Sequence, residues 1–134
     1  MQMEYLDPQF VWPDALILLA IIFNHYDNGA TLRDIVSCSD YIDKSYPSSQ
    51  ELEEALNRLL AAGLIIVHGD KYDVTEAVYS QYQQNQPAGH SARKQVEAVE
   101  LILSSVPQPQ SCPKNIVIEE SVLQAAIAEY IASF

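Results

Sequence analysis

Positive charge is scarce in this chain. Against 18 Asp and Glu residues stand 7 Lys and Arg, a formal net charge of -11. A protein that grips duplex nucleic acid gains most of its non-specific affinity by setting Lys and Arg against phosphates. Here Arg33, Lys44, Arg58, Lys71, Arg93, Lys94 and Lys114 are scattered, and only Arg93 and Lys94 are adjacent. That is a poor footprint for a nucleic-acid binder. Cysteine is equally sparse: Cys38 and Cys112 match no metal or redox spacing, so two reduced thiols in a cytoplasm are the expectation. Long apolar runs are missing too. The longest, Ala15 to Phe23 (ALILLAIIF), is well short of the roughly 20 residues of a spanning helix and follows acidic residues. It reads as neither anchor nor secretory signal, and no membrane partner is expected.

Catalytic punctuation is also lacking. No glycine-rich phosphate loop, nucleophile elbow or H-E-x-x-H helix occurs. His25, His68 and His90 lie in three separate segments without a second ligand at metal spacing. The acidic stretch DYIDKSYPSSQELEE (residues 40–54) is explained by solvated charges around a helix start. The expectation is a chain that is not an enzyme and holds no metal or cofactor.

What is present is enough apolar material, 49% of 134 residues, for about one soluble domain with a real core. Pro13 suits a first helical position, Asp14 complements the dipole, and the helix that follows is apolar nearly all round, as a helix buried on most sides would be. Asp27-Asn28-Gly29 closes it, with Gly29 free to take the left-handed conformation. Thr31 caps a second helix of about three turns, and the turn formers of SDYIDKSYP (residues 39–47) connect it to a third. There Ser48 and Glu51 form an S-x-x-E capping box, and Leu52, Ala55, Leu56, Leu59 and Leu60 share one side. Next comes a ribbon turning at Gly69-Asp70, which pairs His68 with Lys71, Val67 with Tyr72 and Ile65 with Val74. Ile65, Val67, Tyr72 and Val74 then occupy one face. Thr75 caps a further helix to about Tyr82, and QNQPAG (residues 84–89) breaks it. From Ser91 to Val106 apolar residues recur at helical spacing. The Pro-rich connector PQPQSCP (residues 107–113) leads to a short β-like tract and a last helix, Glu119 to Phe134, striped by Val122, Ala126, Ile127, Tyr130, Ile131 and Phe134.

Helix, short helix, capped third helix, GLI and β-ribbon, from Pro13 to about Tyr82, is the order of a winged helix-turn-helix domain. ALNRLLAAGLI followed by KYDVTEA resembles the third-helix and wing region of bacterial PadR-like and MarR-like regulators. The fold class expected is mainly α with a small β-hairpin (α+β), a winged helix-turn-helix followed by C-terminal helices. Residues 1–86 form the winged-helix domain, and 87–134 a helical extension packed on it or dimerising. By position, the resemblance implies a recognition face of Gln50, Glu53, Glu54 and Asn57, with Arg58 beside them and Lys71 at the wing tip. The sequence departs from such a family here, since Glu51, Glu53 and Glu54 outnumber Arg58 on the third helix, and Asp70, Asp73 and Glu76 outnumber Lys71 on the ribbon. Carboxylates can accept from a cytosine amino group but cannot supply the phosphate contacts that hold a protein on duplex.

The function expected is therefore a non-catalytic winged-helix module mediating protein–protein association in a regulatory setting. It would act as a homodimer through Ile127, Tyr130, Ile131 and Phe134 on the last helix. The alternative is a DNA-binding transcriptional regulator of PadR or MarR type, whose homodimer would gather Arg33, Lys44, Arg58 and Lys71 into a basic strip. Tyr41, Tyr46, Tyr72, Tyr79 and Tyr82 fall in or just after the winged-helix segment, and tyrosine is enriched where proteins meet proteins. Exposure of Tyr41, Tyr46 and Glu54 together would favour a protein partner.

Overall fold

Trp12–Phe23 form helix α1 in the computed structural model, which describes residues 5–85 and 91–134. Pro13 sits at its start, and the Val11 amide donates to Asp14 Oδ2 at 3.1 Å, so the first turn is capped from within. Every residue from Asp14 to Ile22 is buried, and a helix buried all round needs neighbours on all sides. A short 3-10 turn, His25–Asp27, follows. The left-handed cap is taken by Asn28 (φ 64°) rather than by Gly29. Gly29 (φ 114°) is needed for another reason: a Cβ there would meet the Tyr72 carbonyl oxygen at 2.8 Å.

That close approach lets Ala30 pair with Tyr72, the two amides and carbonyls exchanging bonds of 2.7 and 2.9 Å. Helix α2, Leu32–Asp43, begins with Thr31 Oγ1 accepting from the Asp34 amide at 3.2 Å, and Asp34 Oδ2 returns a bond to the Thr31 amide. It runs further than its turn-forming residues imply. The first part of SDYIDKSYP is helical, because Cys38 and Ser39 are buried and Ile42 packs on the core. The Ser39 hydroxyl donates to the Ser45 carbonyl at 2.8 Å, and Lys44 (φ 55°) ends the helix.

Helix α3, Ser49–Ala61, has the expected reciprocal cap: Glu51 amide to Ser48 Oγ and Ser48 amide to Glu51 Oε1, both 3.1 Å. Its Leu52, Ala55, Leu56 and Leu59 are fully buried. Strands β1, Ile65–His68, and β2, Lys71–Val74, pair antiparallel in the expected register, with Gly69 at φ 58° in the turn. The shared apolar face is only partly covered. Ile65, Tyr72 and Val74 are buried, but Val67 is 41% exposed although Tyr72 lies opposite it, because β2 is the strand that pairs with Ala30 and packs on α1.

Thr75 caps helix α4, Glu76–Gln84; the break expected at QNQPAG lies mostly outside the described residues, as does His90. Helix α5, Ala92–Ser105, packs Val96, Val99, Ile102 and Leu103 against α1 and α4. Helix α6, Glu120–Ala132, packs on α2. Its anchor is Leu123, 1% exposed, whereas Val122, Ile131 and Phe134 of the expected stripe face outward. The architecture is mainly α with one small antiparallel hairpin. α1 is its hub, touching α2, α3, α5 and β2.

Candidate interaction surface

The outward face of α3, where the sequence placed Gln50, Glu53, Glu54 and Asn57, is crossed by the chain itself. The tract after the Pro-rich connector forms no strand; it runs as a strap over α3. Asn57 donates through Nδ2 to the Ile116 carbonyl and accepts at Oδ1 from the Ile116 amide, both at 2.8 Å. Glu53 Oε1 accepts from the Ile118 amide at 2.8 Å, and its other oxygen lies 3.7 Å from Lys114 Nζ. One asparagine thus serves both backbone groups of Ile116 as a neighbouring strand would, and only 1% of it remains exposed. Gln50 stays on the surface and donates to Glu54 at 3.1 Å, while Ser49 Oγ donates to Glu120 Oε2 at 2.7 Å and ties α3 to α6. The start of the strap is held as well, the Leu6 amide donating to the Cys112 carbonyl at 2.8 Å beside a Tyr5–Pro113 bridge.

Arg58 is not on that face. It turns inward, 6% exposed, and donates through Nε and Nη2 to the two oxygens of Asp14 at 2.8 and 3.0 Å. Burial opposes its charge, but the hydrogen bonds and the attraction of Asp14 prevail, and its pKa is raised. Asp14 stands in the first turn of α1, as the dipole expectation has it, and is wholly buried. Lys71, the expected tip residue, donates to the Asp27 carbonyl at 3.0 Å and lies back along the hairpin. Other cations also meet carboxylates: Arg33 reaches Glu129 at 3.2 Å and Arg93 reaches Glu97 at 3.5 Å.

A second polar cluster pins the hairpin base to the end of α1. His25 Nδ1 lies 2.8 Å from Asp73 Oδ1 and Nε2 lies 3.4 Å from Glu76 Oε1, with the Tyr79 ring 4.3 Å away and Tyr26 edge-on to Tyr79. The hydrogen bond to Asp73 raises the His25 pKa against the opposing effect of burial, with the charges of Asp73 and Glu76 adding to the rise. The cluster clasps the 3-10 turn to β2 and to the start of α4.

The candidate association residues divide into two pairs. Ile127 and Tyr130 are half-buried on the core, and the Tyr130 hydroxyl donates to Asp40 at 2.7 Å. Ile131 and Phe134 are 53% and 86% exposed. Tyr46, Tyr130 and Phe134 form an edge-to-face series with centroids 6.3 and 5.0 Å apart. Tyr41 and Tyr46 are exposed, Glu54 half-exposed. Between the start of α2, the hairpin, the strap and α6 lies an open groove of about 580 Å3.

Among the described residues no group of three or more His, Cys, Asp or Glu could hold a metal ion, and no helix is long and apolar enough to cross a membrane. Sequence reasoning missed the Asp14–Arg58 pair, the strap and the His25 clasp. A signal existed only for the first: an aspartate embedded in a helix apolar all round has to find a cation. Comparison with protein-family models, curated proteins and solved structures returns no match.

Proposed function

We propose that this chain is a non-catalytic winged-helix module that mediates protein association in a regulatory, cytoplasmic setting. Support for the winged-helix reading comes from the order α1, α2, α3, hairpin, together with the short pairing of Ala30 with β2. The observation that carries the functional reading is the strap. Where such a domain would present its third helix to bases, Asn57 and Glu53 are already engaged by Ile116 and Ile118. With Arg58 held inside by Asp14, the basic strip needed by the DNA-binding alternative loses one of its four members. Self-association belongs to the same proposal, with the interface drawn from Ile131, Phe134 and the exposed edges of Tyr46 and Tyr130. A C2 pair is the commonest closed assembly and would cover these groups twice over.

Binding to random-sequence duplex at low salt tests the reading. No retention is expected, whereas retention that weakens steeply as salt rises would overturn it. Light scattering at micromolar concentration tests the self-association clause separately. A dimer dispersed by Ile131→Glu with Phe134→Glu is expected, and a monomeric intact chain refutes that clause.

A further inference from the structure

The strap has a second side. Ile116 gives both its backbone groups to Asn57 and Ile118 gives its amide to Glu53, so residues two apart bond in the same direction, the period of an extended strand. Among the described residues neither the amide nor the carbonyl of Val117, which lies between them, has a hydrogen-bond partner, and a two-residue period would turn both away from α3. An extended segment with an unpaired amide and carbonyl offers another strand the same kind of template as a sheet edge. It opens beside the groove of about 580 Å3, whose apolar surface comes from Leu32, Tyr72, Val117, Val122 and Ala126. Val117 and Val122 are 68% and 50% exposed there, large apolar groups in water at the lip of a hollow. The charges around it are Asp70, Glu119 and Glu129 against Arg33, and Arg33 is already paired with Glu129.

We propose that the strap edge and this groove dock an extended segment of a partner protein in which apolar residues alternate with Lys or Arg. The partner's main chain would add to Val117 as a new strand. Its apolar side chains would seat on Val117 and Val122, and its cations would meet Asp70 and Glu119. Local charge selects the occupant: the rim sets Asp70, Glu119 and Glu129 against one guanidinium that is already paired, so a basic segment gains from it. The docking site rests on the reading of the chain as an association module and specifies the chemistry of its partner.

The probe is a synthetic peptide of alternating lysine and valine, titrated into the full chain while backbone amide signals are followed by NMR. Saturating shifts centred on Val117, Val122 and Tyr72 are expected. Val117→Pro removes the edge amide and leaves the bonds of Ile116 and Ile118 available, so affinity should fall by about fivefold to tenfold. Val122→Ser, at an exposed position, removes an apolar seat without adding charge and should weaken binding as well. A peptide with serine replacing each valine should bind far more weakly. Equal affinity of the serine peptide, indifference of binding to Val117→Pro and Val122→Ser together, or shifts centred on another face would each overturn the proposal. Peptide failure in a chain that also ignores duplex DNA removes the docking site while leaving the association reading. A chain that grips duplex with a steep salt slope removes both.

Discussion

Asp14 and Arg58, 44 residues apart in sequence, meet inside the molecule as a two-pronged ion pair, with Asp14 wholly buried. It links the first turn of α1 to the last turn of α3, and so sets how the hub helix crosses the helix whose outer face the strap covers. Arg58→Met leaves a buried carboxylate without its cation, and the expected loss is about 3–5 kcal/mol of unfolding free energy. Asp14→Leu combined with Arg58→Met should regain most of it, because two apolar groups leave no charge stranded. Urea titration of both variants decides the matter. A double variant no more stable than the single one would show that the pair is not the source of the loss.

Asn57→Ala deletes both bonds to Ile116 at once. With a part-buried amide and carbonyl left unserved, a loss of about 1–3 kcal/mol is expected. Hydrogen exchange should quicken at Ile116 and Ile118 while α3 itself stays protected. Unchanged exchange at Ile116 would mean that Asn57 does not hold the strap.

His25 makes stability depend on pH. Its folded pKa is raised above the ordinary 6.5 by Asp73, with Glu76 assisting. The protonated ring is therefore favoured in the folded chain. That contribution is whole below pH 6.5 and is lost as pH climbs through the raised value. Thermal midpoints taken between pH of about 6 and 8.5 should decline in the native chain and flatten in Asp73→Asn. Equal slopes in the two proteins would separate His25 from the effect.

Leu56 and Leu59 stand at 0% exposure on the inner face of α3, packed with α1 and β1. Replacing either by Ala should cost about 2–5 kcal/mol, measured by denaturant unfolding. Losses below about 1 kcal/mol in both would contradict the packing, since surface positions are what give such values.

Both thiols are buried, and burial pushes Cys38 up to about 12 and Cys112 upward as well. The thiolate is the nucleophile, so iodoacetamide should leave the native chain unmodified near neutral pH and label both cysteines in urea. Rapid native labelling, read by mass spectrometry, would place at least one of them at the surface.

Most of the local structure was legible in the sequence because its causes are local. Thr31, Ser48, Thr75 and Ser91 each cap the helix after them, and a two-residue turn imposes one register on the hairpin. The end of α2 was misjudged because Ser39, Asp40 and Asp43 favour turns in isolation, and burial of Cys38, Ser39 and Ile42 overrides that preference. The helical wheel put Asn57 on the outer face of α3, away from Leu52, Leu56 and Leu59. No periodicity could reveal that a segment 59 residues downstream crosses that face. Arg58 was misplaced for the same reason, its partner lying on another helix. The docking groove is a still more distant product, assembled from α2, the hairpin, the strap and α6.

Separation along the chain also has a consequence in time. Asn57 leaves the ribosome 59 residues ahead of Ile116, an interval of roughly 3–12 s at synthesis rates of about 5–20 residues per second. Once Val74 has followed, α1, α2, α3 and the hairpin can assemble while Asn57 and Glu53 still face water. Every newly made copy therefore passes through a stage in which the face of α3 is open, and anything able to engage that face must compete with the arrival of residues 116–118. The strap sets a deadline for binding there.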